Sequence, residues 1–451
     1  MYQHKTSILT FGIIILFCIA TIKVFLNWLP EVNHPFVYDT NQYYSYLILS
    51  FKHQDLTLQN GTYGFWVTKT SINEFVPKGT YGMSLLYLPF FLIAELFSPK
   101  NSTGYEPIYA WSIHIGCIMY SLIGLGFSRK ILLRYFTEKI TAICLLILFF
   151  GTNLFCYTLI NTELTHGILF FLLTVFLYCS IEWYTSNHKK YFLWLCFLLG
   201  LITLIRPSEI IVVLVPLLIG VTTFKTFVDK IKLIGHLKWY LLFGFILFMI
   251  PLFPQLLYWK IQSNQWFFFS YGTNEQFFWA DPQFINVLFS YRKGWLIYTP
   301  LMSFSLIGFV LLYKKNKVLF FCTVSYFLLN LYVISCWWDW TYGGSFGMRA
   351  LVQSYAILII PMGYFIAYIY ESVAFKKMKI IIRALILFFC FLNVFQSNLY
   401  KHNIVSFDGM TKEAYWFTFL KKNYSKEDLV YLNTLIKHPD YQAMSNGDRD
   451  N

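Results

Sequence analysis

Eleven stretches of this chain stay apolar for about 20 residues, long enough for a helix to cross roughly 30 Å of hydrocarbon. They fall at 7–29, 107–127, 139–158, 166–183, 191–205, 208–224, 238–258, 295–313, 318–335, 350–370 and 379–397. A backbone in lipid must satisfy its own hydrogen bonds, so such a series is read as helices. Of the 451 residues, 57% are hydrophobic and 13% charged, too apolar a balance for a soluble core. The expected fold is an all-α polytopic membrane protein with about 11 transmembrane helices, or 12 if one further segment crosses.

That segment is 82–98, GMSLLYLPFFLIAELFS, with Pro89 in its middle. As a helix it reaches only about 25 Å. Charge decides its treatment. If it does not cross, the basic runs SRKILLRYFTEK, HKK, KTFVDKIKLIGHLK, KKNK and FKKMK all share a side with Lys5, as the positive-inside rule requires. If it crosses, all five move outside. The segment is therefore expected to lie in the outer interface, with the N-terminus cytoplasmic and the C-terminal tail outside. The net charge of +13 then follows largely from topology and calls for no nucleic acid.

Two parts are expected, a transmembrane domain at 1–397 and a short outer-face tail at 398–451. The tail reads as one or two short amphipathic helices, too small for a core of their own, packed on the bundle and ending in a disordered SNGDRDN. The stretch MYQHKTSILTFGIIILF reads as a retained signal anchor. The nine cysteines sit in or beside apolar spans with no C-x-x-C, so packing is expected of them rather than disulfides or thiolate metal sites.

The inward loops are short and basic, with no glycine-rich phosphate loop. A cytoplasmic nucleotide site is thereby disfavoured. Chemistry is expected outside, in 30–106, 159–165, the turn at Arg206 and Pro207, 259–294, 336–349 and the tail. Two acids stand at outer span ends, Asp39 in FVYDTNQYYSY and Glu163 in NTELTH, followed by His166.

This order of features resembles the GT-C superfamily of integral-membrane glycosyltransferases, which includes protein mannosyltransferases and aminoarabinose transferases. Asp39 in VYDTNQYY matches the catalytic acid of that family's first outer loop, and KGTYGMSLLYLPFFLIAELF matches its interfacial segment. Glu163 and His166 in NTELTHGILFF resemble its second outer loop, and LGLITLIRPSE, FSYRKGWLIYTP and WWDWTYGGSFGMRAL resemble segments of bacterial members. The string WWDW is also similar to the WWDYG signature of oligosaccharyltransferases. There it belongs to a folded domain after the last span, so its peptide-binding role is not carried over.

The resemblance implies transfer of a sugar from a polyprenyl phosphate or diphosphate to an acceptor on the outer face of a bacterial cell (inner) membrane, with inversion. A carboxylate takes the acceptor's proton and cations steady the departing phosphate. Asp39 is the expected general base, against the alternative of a helix cap. Glu163 is expected as a second catalytic carboxylate or an acceptor ligand. Arg206, Arg349 and His166 are the expected donor-phosphate ligands, against head-group snorkelling for the arginines. Arg292 and Lys293 are further cations at that depth, with snorkelling favoured for Lys293. Trp338 and Asp339 are expected to bind sugar or acceptor, against an aromatic belt. A divalent cation such as Mg or Mn, held by Asp39, Glu163 and His166, stays open, as E-x-x-H alone is not a site.

Two other classes remain: a polysaccharide polymerase or ligase using lipid-linked sugars, and a non-enzymatic transporter of such lipids. The sugar, and whether a glycan, lipid or protein accepts it, are not legible at this level.

Overall fold

A computed structural model describes residues 5–26, 36, 38–272, 275–372 and 376–449. The expected end of the first span at 27–29, the start of the first outer loop at 30–35 and 37, and the last two residues lie outside the described residues. The chain is helical nearly throughout. Among the described residues its only sheet is a short antiparallel hairpin, Val67–Lys69 against Phe75–Pro77, with Thr68 opposite Val76.

Among the described residues six helices are long and apolar enough to cross a membrane: Pro107–Leu132, Thr165–Ser186, Trp239–Ser263, Lys317–Cys336, Arg349–Glu371 and Lys376–Lys401. Of the other five expected spans, four are shorter or interrupted and the first runs on beyond the described residues. The first helix is described over Thr6–Leu26, and the run at 191–205 forms Lys189–Ile205. The run at 139–158 divides into Glu138–Phe150 and Leu154–Leu159. Between them Asn153 uses its amide on Phe346 O, at 3.2 Å, and on the Tyr355 hydroxyl, at 2.7 Å. The run at 208–224 becomes a 3₁₀ turn, Pro207–Val213, and a short helix, Leu214–Leu218. The run at 295–313 breaks at Thr299 and Pro300 before Ser303–Lys315. Proline supplies no backbone N–H and clashes with the preceding turn, which accounts for that break.

The chain divides into two compact units. The first comprises Met1–Leu16, Gly124–Ile160 and Asn274–Asn451. Its centre is Arg349–Glu371, whose apolar window is 94% buried. Ser303–Lys315 packs closely there, a Cβ on Gly308 falling 2.0 Å from Pro361 O. Lys376–Lys401 is 22% buried over its window and turns apolar side chains such as Leu387 and Phe391 outward, as a lipid-facing helix would. Glu138 closes the basic end, accepting from Ser7 N at 2.9 Å and Arg129 Nη2 at 3.0 Å.

The tail belongs to this unit. Val405, Met410, Ala414, Tyr415 and Leu432 share a core with Cys156, Tyr298, Phe346 and Leu399. Its end is ordered through Arg449, correcting the expectation for SNGDRDN. The Arg449 guanidinium is buried and donates to Asp281 O, to Ser335 O at 2.6 Å and to Trp337 O at 2.8 Å. A charged group bonded to several carbonyls anchors the end of the chain that composition marks as soluble and loose.

The second unit comprises Phe17–Ile123 and Asn161–Thr273. Lys189–Ile205 and Trp239–Ser263 pack at Gly200, where a Cβ would stand 2.2 Å from Phe248 O. Gly82–Phe97 is a helix of 16 residues with Pro89 inside it. It buries Met83, Tyr87, Phe91 and Ala94 and exposes Leu92, Ile93, Leu96 and Phe97. One apolar face is thus packed and the other free. All nine cysteines are free, and each is buried or half-buried.

Candidate functional site

In the second unit Asp39 opens the helix Asp39–Ile48. It is the first helical residue rather than the cap. The cap is Tyr38, which makes no side-chain capping bond and stands at φ 51° and ψ −127°, a region that costs a non-glycine residue free energy. The strain falls immediately before the acid, whose negative charge in the first turn suits the helix dipole.

Gly82–Phe97 and the residues before it tie Asp39's helix to two other expected site segments. Ser84 Oγ donates to Tyr43 O at 2.6 Å, one turn beyond Asp39. Tyr87 OH donates to the backbone carbonyl of Glu163. Thr80 Oγ1 donates to Leu204 O at 2.5 Å, and Gly82 lies so close to Ile205 that a Cβ would meet its backbone N at 3.0 Å. Ile205 precedes Arg206. The segment thus supports the elements that carry Asp39, Glu163 and Arg206.

The helix after Glu163 begins at Thr165, with Leu164 as its cap. Glu163 therefore stands before that helix and His166 inside its first turn. Glu163 instead meets His114, its Oε1 standing 2.7 Å from His114 Nδ1. The Thr162 hydroxyl is 2.7 Å from the same nitrogen and also bonds Glu163. Burial pushes the Glu163 carboxyl up, but His114 and Thr162 more than reverse this, and it titrates below the ordinary glutamate value. His114 Nε2 is buried without a hydrogen-bond partner among the described residues. His166 is buried in the first turn of Thr165–Ser186.

Arg206 ends Lys189–Ile205. Its Nε is 3.4 Å from Ser208 Oγ and 4.0 Å from Oε1 of Glu209, an acid only 1% exposed. Part of the charge expected for phosphate therefore faces a buried carboxylate of the same turn. Among the described residues no three His, Cys, Asp or Glu side chains are grouped as metal ligands, so Asp39, Glu163 and His166 do not form a three-ligand set.

The first unit carries Trp338, Asp339 and Arg349. The loop after Lys317–Cys336 turns at Asp339, whose Oδ1 accepts from Thr341 N at 3.0 Å and Thr341 Oγ1 at 2.5 Å. Gly343 follows at φ +61°, a conformation glycine adopts freely. A Cβ there would lie 3.7 Å from Asp339 Oδ2 and 3.9 Å from Arg349 Nη2, so both charges border the same glycine. Burial raises the Asp339 carboxyl, opposed by Thr341 and Arg349.

Lys293 does not snorkel. It is fully buried, and its ammonium donates to Ser345 O at 2.5 Å and to Phe407 O, pinning the glycine-rich loop to the tail. Burial, reinforced by the charge of Arg349, lowers it to about 7. Next to Phe407, Asp408 accepts from Tyr441 OH at 2.9 Å and stands 2.5 Å from His438 Nδ1. Arg292 faces Asp408, Tyr441 and Asp339.

The expected residues thus divide between the units, Asp39, Glu163, His166 and Arg206 in one and Trp338, Asp339 and Arg349 in the other. His114, Thr162, Glu209, Asp408 and Tyr441 escaped sequence reasoning. The only signal for His114 was a histidine on an otherwise apolar span. No family model matches the sequence, and none of the curated proteins matches it.

Proposed function

We propose that the protein is a polytopic membrane glycosyltransferase of the GT-C type, with about eleven spans, which moves a sugar from a polyprenyl-phosphate or diphosphate donor to an acceptor hydroxyl. The site faces outward from a bacterial cell membrane, with the N-terminus in the cytoplasm. The observation that carries this reading is the interfacial helix Gly82–Phe97, whose segment holds the elements bearing Asp39, Glu163 and Arg206 through the Tyr43, Glu163 and Leu204 carbonyls. A lipid-linked donor needs such an arrangement, because its phosphate lies at head-group depth and its acceptor arrives from water.

In this reading Asp39 takes the proton of the acceptor hydroxyl as its oxygen bonds to the anomeric carbon. The bond from that carbon to the phosphate oxygen breaks on the opposite face, inverting the centre. The electron pair leaves with the polyprenyl phosphate, whose charge Arg206 balances. Glu163, kept ionised by His114, holds a second carboxylate for the acceptor's hydroxyls.

The half-buried Arg292 and the buried Lys293, the latter near Arg349, favour, as a second reading, a polymerase or ligase that joins lipid-linked glycans. The test is release of free polyprenyl phosphate by the purified protein from a panel of polyprenyl-phosphate sugars with water-soluble acceptors. Release that Asp39→Asn abolishes supports single-sugar transfer. Release only from lipid-linked oligosaccharides supports the second reading, and no release from any lipid opposes both.

A further inference from the structure

The helix that opens at Asp39 holds a tryptophan close to the acid. Gln42 stands three residues after Asp39, so the two share a helix face. With its amide turned to match, Gln42 donates to Trp66 O at 2.8 Å and accepts from Trp66 N at 2.5 Å. Lys78 N donates to the same carbonyl at 2.9 Å, at the open end of the hairpin Val67–Lys69 and Phe75–Pro77. The backbone of Trp66 is thereby fixed from two sides. Its ring lies 6.5 Å from that of Tyr38, the residue before Asp39.

Two more groups extend this row within the second unit. The Lys78 ammonium stands 5.5 Å from the Trp66 ring centre and 4.9 Å from that of Tyr271, close enough for cation–π attraction to both. Tyr271 is carried there by Ser270, whose Oγ donates to Lys78 O at 2.6 Å and whose carbonyl accepts from Thr68 Oγ1. Tyr38 is 76% exposed, Trp66 44% and Tyr271 43%. Large rings left open to water forgo the stabilisation of burial. Here hydrogen bonds hold them in place while open, so a ligand that lies on them orders little on arrival.

We propose that Tyr38, Trp66, Lys78 and Tyr271 form a saccharide-binding platform beside Asp39, which receives a sugar ring of a glycan acceptor. The proposal rests on the glycosyl-transfer reading and names its acceptor class. The C–H faces of a pyranose lie on aromatic rings, and its hydroxyls accept from an ammonium. Charge selects the same ligand. Asp39 disfavours an anion and Lys78 a cation, whereas a neutral ring rich in donors and acceptors suits both. Anchoring to lipid head groups is the usual work of tryptophan at span ends. Trp66 leads instead into a hairpin and is pinned through Gln42 to the helix that bears the acid.

The experiment uses the full chain in phosphatidylcholine nanodiscs, because alkyl-glycoside detergents carry sugars of their own. Saturation-transfer NMR is recorded with maltohexaose, cellopentaose, mannohexaose and chitopentaose, against empty nanodiscs. Wild type is expected to transfer saturation to at least one of them, with an affinity read by titration. Trp66→Ala and Lys78→Met are expected to weaken that affinity by about tenfold or more, and Trp66→Phe, which keeps a ring, to lose less. Trp194→Ala, on an exposed tryptophan of Lys189–Ile205, is expected to bind as wild type does. Unfolding midpoints are read alongside, and Lys78→Met with Trp66→Phe carry the test if Trp66→Ala does not fold.

No saturation transfer from wild type to any of the saccharides overturns the proposal. So does unchanged affinity in the folded variants, which would leave the rings an anchor for head groups. Binding is read without turnover, so the two proposals fail separately. Saccharide binding without any sugar transfer keeps the binding site and removes the glycosyl-transfer reading, whereas transfer to a non-saccharide acceptor by a protein that binds none of the saccharides removes the platform alone.

Discussion

Glu163 Oε1 stands 2.7 Å from His114 Nδ1, joining the turn before one long apolar helix to the interior of another across 49 residues of sequence. Both side chains are largely buried, at 15% and 5% exposed. Removing one partner of such a pair leaves the other without compensation. Glu163→Ala is therefore expected to destabilise the protein by about 3 kcal/mol, read as a lower unfolding midpoint in detergent. Glu163 titrates below its ordinary 4.5 when folded, so its carboxylate's contribution is present above that pH and is lost as pH falls through the lower folded value. Wild type should lose stability below pH 4.5 more steeply than Glu163→Gln.

The helix Gly82–Phe97 is seated at Gly82. A Cβ there meets Ile205 Cγ1 at 2.9 Å and its backbone N at 3.0 Å, and the backbone cannot swing aside as a side chain would. Gly82→Ala is expected to cost about 1–3 kcal/mol and to reduce turnover through displacement of the Arg206 turn. A fully active, fully stable Gly82→Ala protein would show that this seat does not organise the site.

Lys293 titrates near 7 when folded against 10.5 when exposed. Between those values the unfolded chain holds more protons, so stability is expected to rise with pH from about 7 to about 10.5. Lys293→Met removes the group and should flatten that rise. An unchanged pH dependence in the variant would assign the rise to other groups.

Sidedness follows from labelling. Cysteines introduced at Asn101 and His188, both exposed, report the two ends of the second unit against native cysteines that are all buried or half-buried. An impermeant thiol reagent applied to intact cells is expected to modify the cysteine of Asn101→Cys but not that of His188→Cys. The reverse pattern would contradict the inward placement of the basic loops.

Hydropathy made the six long helices legible, because a helix in lipid needs both length and apolarity. It did not show the breaks at Asn153 and Pro300. Averaging over a window hides one amide or one proline, and the Phe346 and Tyr355 groups that draw Asn153 out of a helix lie about 200 residues away. Asp39, Glu163 and Arg206 were visible as charges at span ends. His114 was not, since its partner is fixed by tertiary packing rather than by spacing. Arg449 was lost in a polar tail whose composition says nothing of the carbonyls it binds.

The central claim is that the protein consumes a lipid-linked sugar through Asp39. The most direct measurement is mass spectrometry of polyprenyl-phosphate sugars in host membranes from cells carrying the wild type, a deletion and Asp39→Asn, with expression matched. The account predicts one lipid-linked sugar accumulating equally in the deletion and in Asp39→Asn. A lipid pool altered by the deletion but normal in Asp39→Asn would contradict it, and would point to transport or to a different catalytic residue.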